Sequence, residues 1–102
     1  MILYIDGPIK GVSDFEKKFA EAKQKLESVG HETMSVLDCS ILNNEHFDWS
    51  DRMKFCIEML EKCDGIVLLS GWKTSVRATI EKAWAEKLGK DIYYFQSSER
   101  VC

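Results

Sequence analysis

Two rhythms of apolar and polar positions organise this chain. Ile2 to Ile5 is an unbroken apolar run, the pattern of a strand buried on both faces. Asp6-Gly7-Pro8 ends it, because proline cannot continue a strand ladder. From Phe15 the period lengthens. Phe15, Phe19, Ala22, Leu26 and Val29 recur at helical spacing and mark one packing face. Ser13 or Asp14 is placed to cap this first helix, Glu16 lies at capping-box spacing from Ser13, and Gly30 closes the helix. His31 to Leu37 reads as a second strand, with Thr33, Met34, Val36 and Leu37 supplying its bulk. Asp38 to Trp49 is polar and aperiodic, a long surface loop anchored by Phe47 and Trp49.

A second helix opens at Ser50 or Asp51, with Met53, Cys56 or Ile57, Leu60 and Cys63 as its apolar stripe. Ile66 to Leu69 is the third strand, followed by a sharp turn at Gly71-Trp72. Thr74 or Ser75 caps a third helix, for which the pattern predicts a packing face of Ile80, Ala83, Trp84, the stem of Lys87, and Leu88. Gly89 closes it, Ile92 to Phe95 forms a fourth strand, and a polar tail follows. Strands that alternate with helices predict one α/β domain over residues 1–102. The expected architecture is a three-layer sandwich around a four-stranded parallel sheet, flavodoxin-like in layout. Right-handed crossovers favour the strand order 2-1-3-4. That order puts the switch point between the first and third strands, so a ligand crevice is expected between the turns at Asp6-Gly7-Pro8 and Ser70-Gly71-Trp72.

Composition narrows the functional classes. The chain has 102 residues and a net charge of −3, with acidic and basic residues intermixed. With no Lys/Arg stripe, a nucleic-acid groove is not expected. No apolar run reaches membrane-spanning length, and Met1 to Ile5 is too short for a signal peptide, so a cytoplasmic protein without a membrane partner is expected. Cys39, Cys56, Cys63 and Cys102 show no metal-binding spacing, and His31 and His46 lie far apart. The cysteines read as small core residues of a reducing compartment, and no metal site is expected.

Particular residues now become informative. Leu3, Tyr4, Ile5, Gly7 and Pro8 resemble the opening of the nucleoside 2-deoxyribosyltransferase-like superfamily, whose first strand ends in a pattern such as I-Y-[ILV]-[SA]-G-P. Trp49, Leu60, Cys63, Asp64, Ile66, Leu68, Leu69, Gly71, Trp72, Ser75, Glu81, Ala85, Leu88 and Gly89 resemble a small phage and bacterial branch of it. The resemblance implies a Rossmann-like domain that binds a nucleoside or nucleotide and breaks or re-forms its N-glycosidic bond. It further implies Glu81 as nucleophile and Tyr4 as the phenol that orients it, with no metal or organic cofactor. A carboxylate suits this chemistry, because loss of the base leaves an oxocarbenium-like sugar that an anion can stabilise and trap. Gly7, Pro8, Gly71, Trp72 and Ser75 would line the ligand site. Members of the superfamily commonly form homo-oligomers, and one is expected here.

The chain departs from that pattern at two places. Arg77 stands where the branch usually has glycine, four residues before Glu81, and Asp6 replaces a Ser or Ala, with Lys10 in the same turn. Arg77, Lys10 and the free amides at the start of the third helix could together hold a phosphate. The ligand would then be a nucleotide, and a pocket without turnover could sequester or sense a nucleotide-derived signal. Plainer readings stand beside these. Glu81 could be a surface partner of Arg77, Tyr4 a core residue, Asp6 a turn former, and Trp72 a packing residue.

Overall fold

The computed structural model of the chain describes residues 1–38 and 48–95. Most of the expected long loop, with Cys39, His46 and Phe47, and the tail with Cys102 lie outside the described residues. Strand β1 is Ile2–Asp6, helix α1 Phe15–Ser28, strand β2 Glu32–Ser35, helix α2 Trp49–Glu61, strand β3 Gly65–Leu68, helix α3 Val76–Lys87 and strand β4 Asp91–Tyr94. The four strands form one parallel sheet in the order β2-β1-β3-β4, an α/β fold with the predicted topology.

β1 pairs with both β2 and β3, so its apolar run is shielded along both edges, and Leu3, Tyr4, Ile5 and Asp6 are all buried. α1 packs on β1 and β2, whereas α2 and α3 pack on one another and α3 also on β3 and β4. Right-handed crossovers therefore place α1 on one face of the sheet and α2 with α3 on the other. Alternation along β1 then turns Ile5 toward α1 and Tyr4 and Asp6 toward α2 and α3.

Several boundaries differ from the sequence expectation, each for a local reason. β2 stops at Ser35 because the Asp38 carboxylate accepts from the Ser35 backbone N–H, and Val36–Asp38 winds into a 3-10 turn. α2 starts earlier, at Trp49, because Asp48 and Asp51 form a reciprocal capping box. Trp49 is thereby the first residue of a helix, and it is 53 % exposed rather than a buried loop anchor. The cap of α1 is Asp14, without a side-chain hydrogen bond, so the expected Ser13 box does not form.

The largest correction concerns α3. Its buried residues are Ala78, Glu81 and Ala85, while Ile80, Ala83, Trp84, Lys87 and Leu88 face outward. The two alanines let the helix lie close to the sheet, and the space between them holds a carboxyl instead of an aliphatic chain. Cys56 and Cys63 are buried core thiols, as the pattern predicted, and burial pushes both up to about 11. Among the described residues no helix is long and apolar enough to cross a membrane, and no group of three or more His, Cys, Asp or Glu side chains could hold a metal ion.

Candidate functional site

Asp6 and Glu81 come from opposite ends of the sequence and meet beneath α3. The parallel register sets Asp6 beside Leu68, at the carboxyl ends of β1 and β3. Ser75 caps α3 by accepting from the Ala78 N–H, which fixes the first turn and points Glu81, two turns on, at the sheet. Ser75 thus acts through the helix, and its hydroxyl already occupies one of the free amides that a ligand was expected to use.

Asp6 and Glu81 are both fully buried, and Arg77 lies between them with a side chain only 14 % exposed. Arg77 Nη1 donates to Asp6 Oδ1 at 2.5 Å and to Glu81 Oε2 at 3.2 Å, and its Nη2 donates to the Gly7 carbonyl at 2.9 Å. The Gly7 N–H donates to the same Asp6 oxygen at 2.8 Å. Asp6 is therefore more than a turn former, and Glu81 is no surface partner.

The second oxygens decide the electrostatics. Among the described residues Asp6 Oδ2 and Glu81 Oε1 are buried with no donor, and the Tyr4 hydroxyl is buried without a hydrogen-bond partner. Two bare carboxylate oxygens side by side repel, whereas one proton between them converts the repulsion into a hydrogen bond. Burial pushes Glu81 up to about 9, reinforced by the charge of Asp6 and a hydrogen bond to it, against the pull of Arg77 and Tyr4. Burial and the neighbouring Asp6 charge thus favour a protonated Glu81 at neutral pH, its proton directed at Asp6. Tyr4 is raised well above the usual phenol range, by burial first and then by Glu81 and Asp6, so it remains a neutral donor. Burial opposes the charge of Arg77, but Asp6 and then Glu81 outweigh it and keep it a cation.

The two turns expected to flank a crevice approach each other closely. A Cβ on Gly7 would lie 2.8 Å from Leu69 Cβ, and one on Gly71 would lie 3.4 Å from Pro8 Cγ. Gly7 serves this close approach of the two turns, and Gly71 serves a left-handed turn, at φ +85°. Arg77 faces inward, and Lys10 is exposed. The expected phosphate cradle of Arg77, Lys10 and helix amides is thus not assembled, because the guanidinium is bonded to internal oxygens.

Trp72 follows Gly71 in a 3-10 turn, Trp72–Thr74, and is partly buried against the core. Its ring centre lies 6.0 Å from that of Tyr94, 5.9 Å from Lys73 Nζ and 5.5 Å from Lys82 Nζ. Lys73 and Lys82 stand out only in the structure, and Cys56, expected as a core residue, also lies close enough to Glu81 to feel its charge. Their sequence neighbours, Trp72 before Lys73 and Glu81 before Lys82, carry the signal for the first two. Cys56 carried no signal beyond its place on the α2 stripe, yet after burial the charge of Glu81 is what most raises its thiol.

The structure thus gathers Tyr4, Asp6, Gly7, Arg77 and Glu81, sets Pro8 and Gly71 against each other as walls, and leaves Lys10 outside. Among curated proteins none matches the sequence. A family model matches residues 1–94, and the chain belongs to that family, the domain of unknown function DUF4406.

Proposed function

We propose that this cluster binds a nucleoside or nucleotide at the carboxyl edge of the sheet and cleaves or transfers its N-glycosidic bond. One observation carries the reading: two buried carboxyls, Asp6 and Glu81, each keep one oxygen without a hydrogen-bond partner among the described residues, as does the nearby Tyr4 hydroxyl. The resemblance to deoxyribosyltransferase-like proteins at Tyr4, Gly7, Pro8 and Glu81 supports it. Cleaving this bond needs a proton for the departing base and an anion for C1′ of the sugar, and the pair holds one of each.

In the first step the C1′–N bond breaks, its electron pair goes to the base nitrogen, and that nitrogen takes the proton of the pair. The freed Glu81 carboxylate bonds to C1′, while Tyr4 donates to its other oxygen and orients it. Water or a second base then attacks C1′, the ester bond to Glu81 breaks, and the proton of the attacking group returns to the pair. The steps call on no metal ion or organic cofactor. Arg77 must swing away from Gly7 before a sugar can reach Glu81, so it acts as the gate of the site.

A specific observation favours a second reading, a binder without turnover. Glu81 is sealed from solvent by Arg77, so the pocket could have kept its ligand and lost its chemistry. In either case a homo-oligomer is supported by the outward ridge Val76, Ile80, Trp84 and Leu88, an apolar row four residues apart on α3.

Base release from deoxynucleosides and deoxynucleotides, followed by chromatography, separates the two. Turnover that disappears in Glu81→Ala supports the enzyme, and tight binding without turnover supports the binder. If there is turnover, kcat/KM falls as pH rises through about 9, where the pair loses its proton.

A further inference from the structure

With Arg77 turned inward, any phosphate on the ligand must be met by other cations. Lys82 follows Glu81 directly, and it leaves α3 about 140° around the axis from Arg77, five residues on. Its side chain is only 20 % exposed, and its ammonium lies 5.5 Å from the centre of the Trp72 ring. Lys73 brings a second ammonium to within 5.9 Å of the same ring. Two cations on one indole repel each other, and among the described residues the exposed Glu86, 3.3 Å from Lys82, answers only one of them. Locally the charge is positive on a chain whose net charge is −3. Beside the lysines, Tyr94 is 58 % exposed and lies 6.0 Å from Trp72, centre to centre, so an aromatic surface remains open.

We propose that Trp72, Tyr94, Lys73 and Lys82 form a recognition shelf for a nucleoside 5′-phosphate, the aromatic rings stacking the base and the two ammonium groups holding the phosphate. The inference rests on the nucleoside reading and deepens it by naming the substrate as the phosphorylated form. Stacking is available to every base, because each has a π face, and charge-assisted bonds from two lysines discriminate for phosphate. Cation–π contact holds each ammonium in place, and the exposed Glu86 partner of Lys82 can yield to a phosphate that brings more charge. The shelf lies on the flank of α3 away from Arg77, so a nucleotide can dock there before the gate opens.

The test titrates the full chain with the four 2′-deoxynucleosides, their 5′-monophosphates and inorganic phosphate, following the Trp72 indole N–H resonance assigned with Trp72→Phe. At least one monophosphate is expected to bind about tenfold more tightly than its nucleoside. That preference is expected to shrink below about twofold in the Lys73→Gln/Lys82→Gln double variant, with nucleoside affinity unchanged. Equal affinities in the unmodified chain, a preference that survives the double variant, or an unmoved indole resonance would each overturn the shelf. Inorganic phosphate binding as tightly as the monophosphate would overturn the stacking role of the rings. Base release is read separately. A lysine-dependent preference without base release removes the catalytic reading and leaves the shelf, whereas base release without the preference does the reverse.

Discussion

Arg77 and Lys82 leave the same helix on opposite flanks of Glu81 and end in opposite surroundings. Arg77 is folded inward, bonded to Asp6, Glu81 and the Gly7 carbonyl. Lys82 lies along the Trp72 ring at the edge of the sheet. The inner cation is a structural and gating element, since its donors face oxygens that folding has already buried. Among the described residues the outer one pairs only with Glu86, a solvent-exposed carboxylate that a ligand can displace. A positive residue near a helix start is therefore not a phosphate ligand by virtue of its position alone, because the partners folding brings to it decide. Here Asp6, seventy-one residues earlier in the chain, decides for Arg77.

The inner region is most readily broken by removing its cation. Arg77→Met removes the cation paired with the buried Asp6 charge and leaves it, among the described residues, only the Gly7 N–H, and loss of one partner of a buried pair costs about 3–5 kcal/mol. Urea denaturation should show a loss of that size, and Lys82→Gln should show almost none. Gly7→Ala comes next. The added methyl would lie 2.8 Å from Leu69 Cβ, a contact in which the packed turn has to shift, and such overpacking typically costs about 1–3 kcal/mol.

The shared proton gives the inner region a pH signature that the outer region lacks. Folded Glu81 keeps its proton up to about 9, whereas an ordinary glutamate loses it near 4.5. Between those values the folded state binds more protons than the unfolded state, so stability falls as pH rises. The contribution is complete below about 4.5 and disappears through about 9, with a slope of at most ~1.4 kcal/mol per pH unit for one proton. Denaturation midpoints measured from pH 5 to 9 should decline in the natural sequence and stay nearly flat in Glu81→Gln. The smallest effect is expected at the cap. Ser75→Ala removes the acceptor for the Ala78 N–H and should cost about 1 kcal/mol, leaving the acid-to-base trend unchanged.

How far the sequence discloses this arrangement depends on the range of the interaction. β1 and β3 are legible because their burial is a property of short, continuous apolar runs with Gly and Pro beyond them. The cap at Ser75 is legible because it is settled within four residues. The meeting of Tyr4 with Glu81 is legible only through the resemblance, since no local pattern pairs a strand tyrosine with a glutamate seventy-seven residues later. The orientation of α3 is not legible by hydrophobicity. That scale turns Ile80, Trp84 and Leu88 inward and Glu81 outward, and it has no account of a proton and a guanidinium that make a buried carboxyl tolerable. The inward fold of Arg77 is hidden for the same reason. Nor does periodicity expose the end of β2, which hangs on one hydrogen bond from Ser35 to Asp38.

Carboxyl-carbon NMR across a pH titration shows directly whether Glu81 keeps its proton beside Asp6 at neutral pH. With glutamate labelled at the side-chain carboxyl and Glu81 assigned by Glu81→Gln, its resonance should stay at the protonated position through neutrality and titrate near 9. In Asp6→Asn, where the neighbouring charge is gone, the midpoint should move down toward the ordinary range. A Glu81 resonance that titrates between 4 and 5 in the natural sequence would contradict the shared proton and the acid–nucleophile pair built on it.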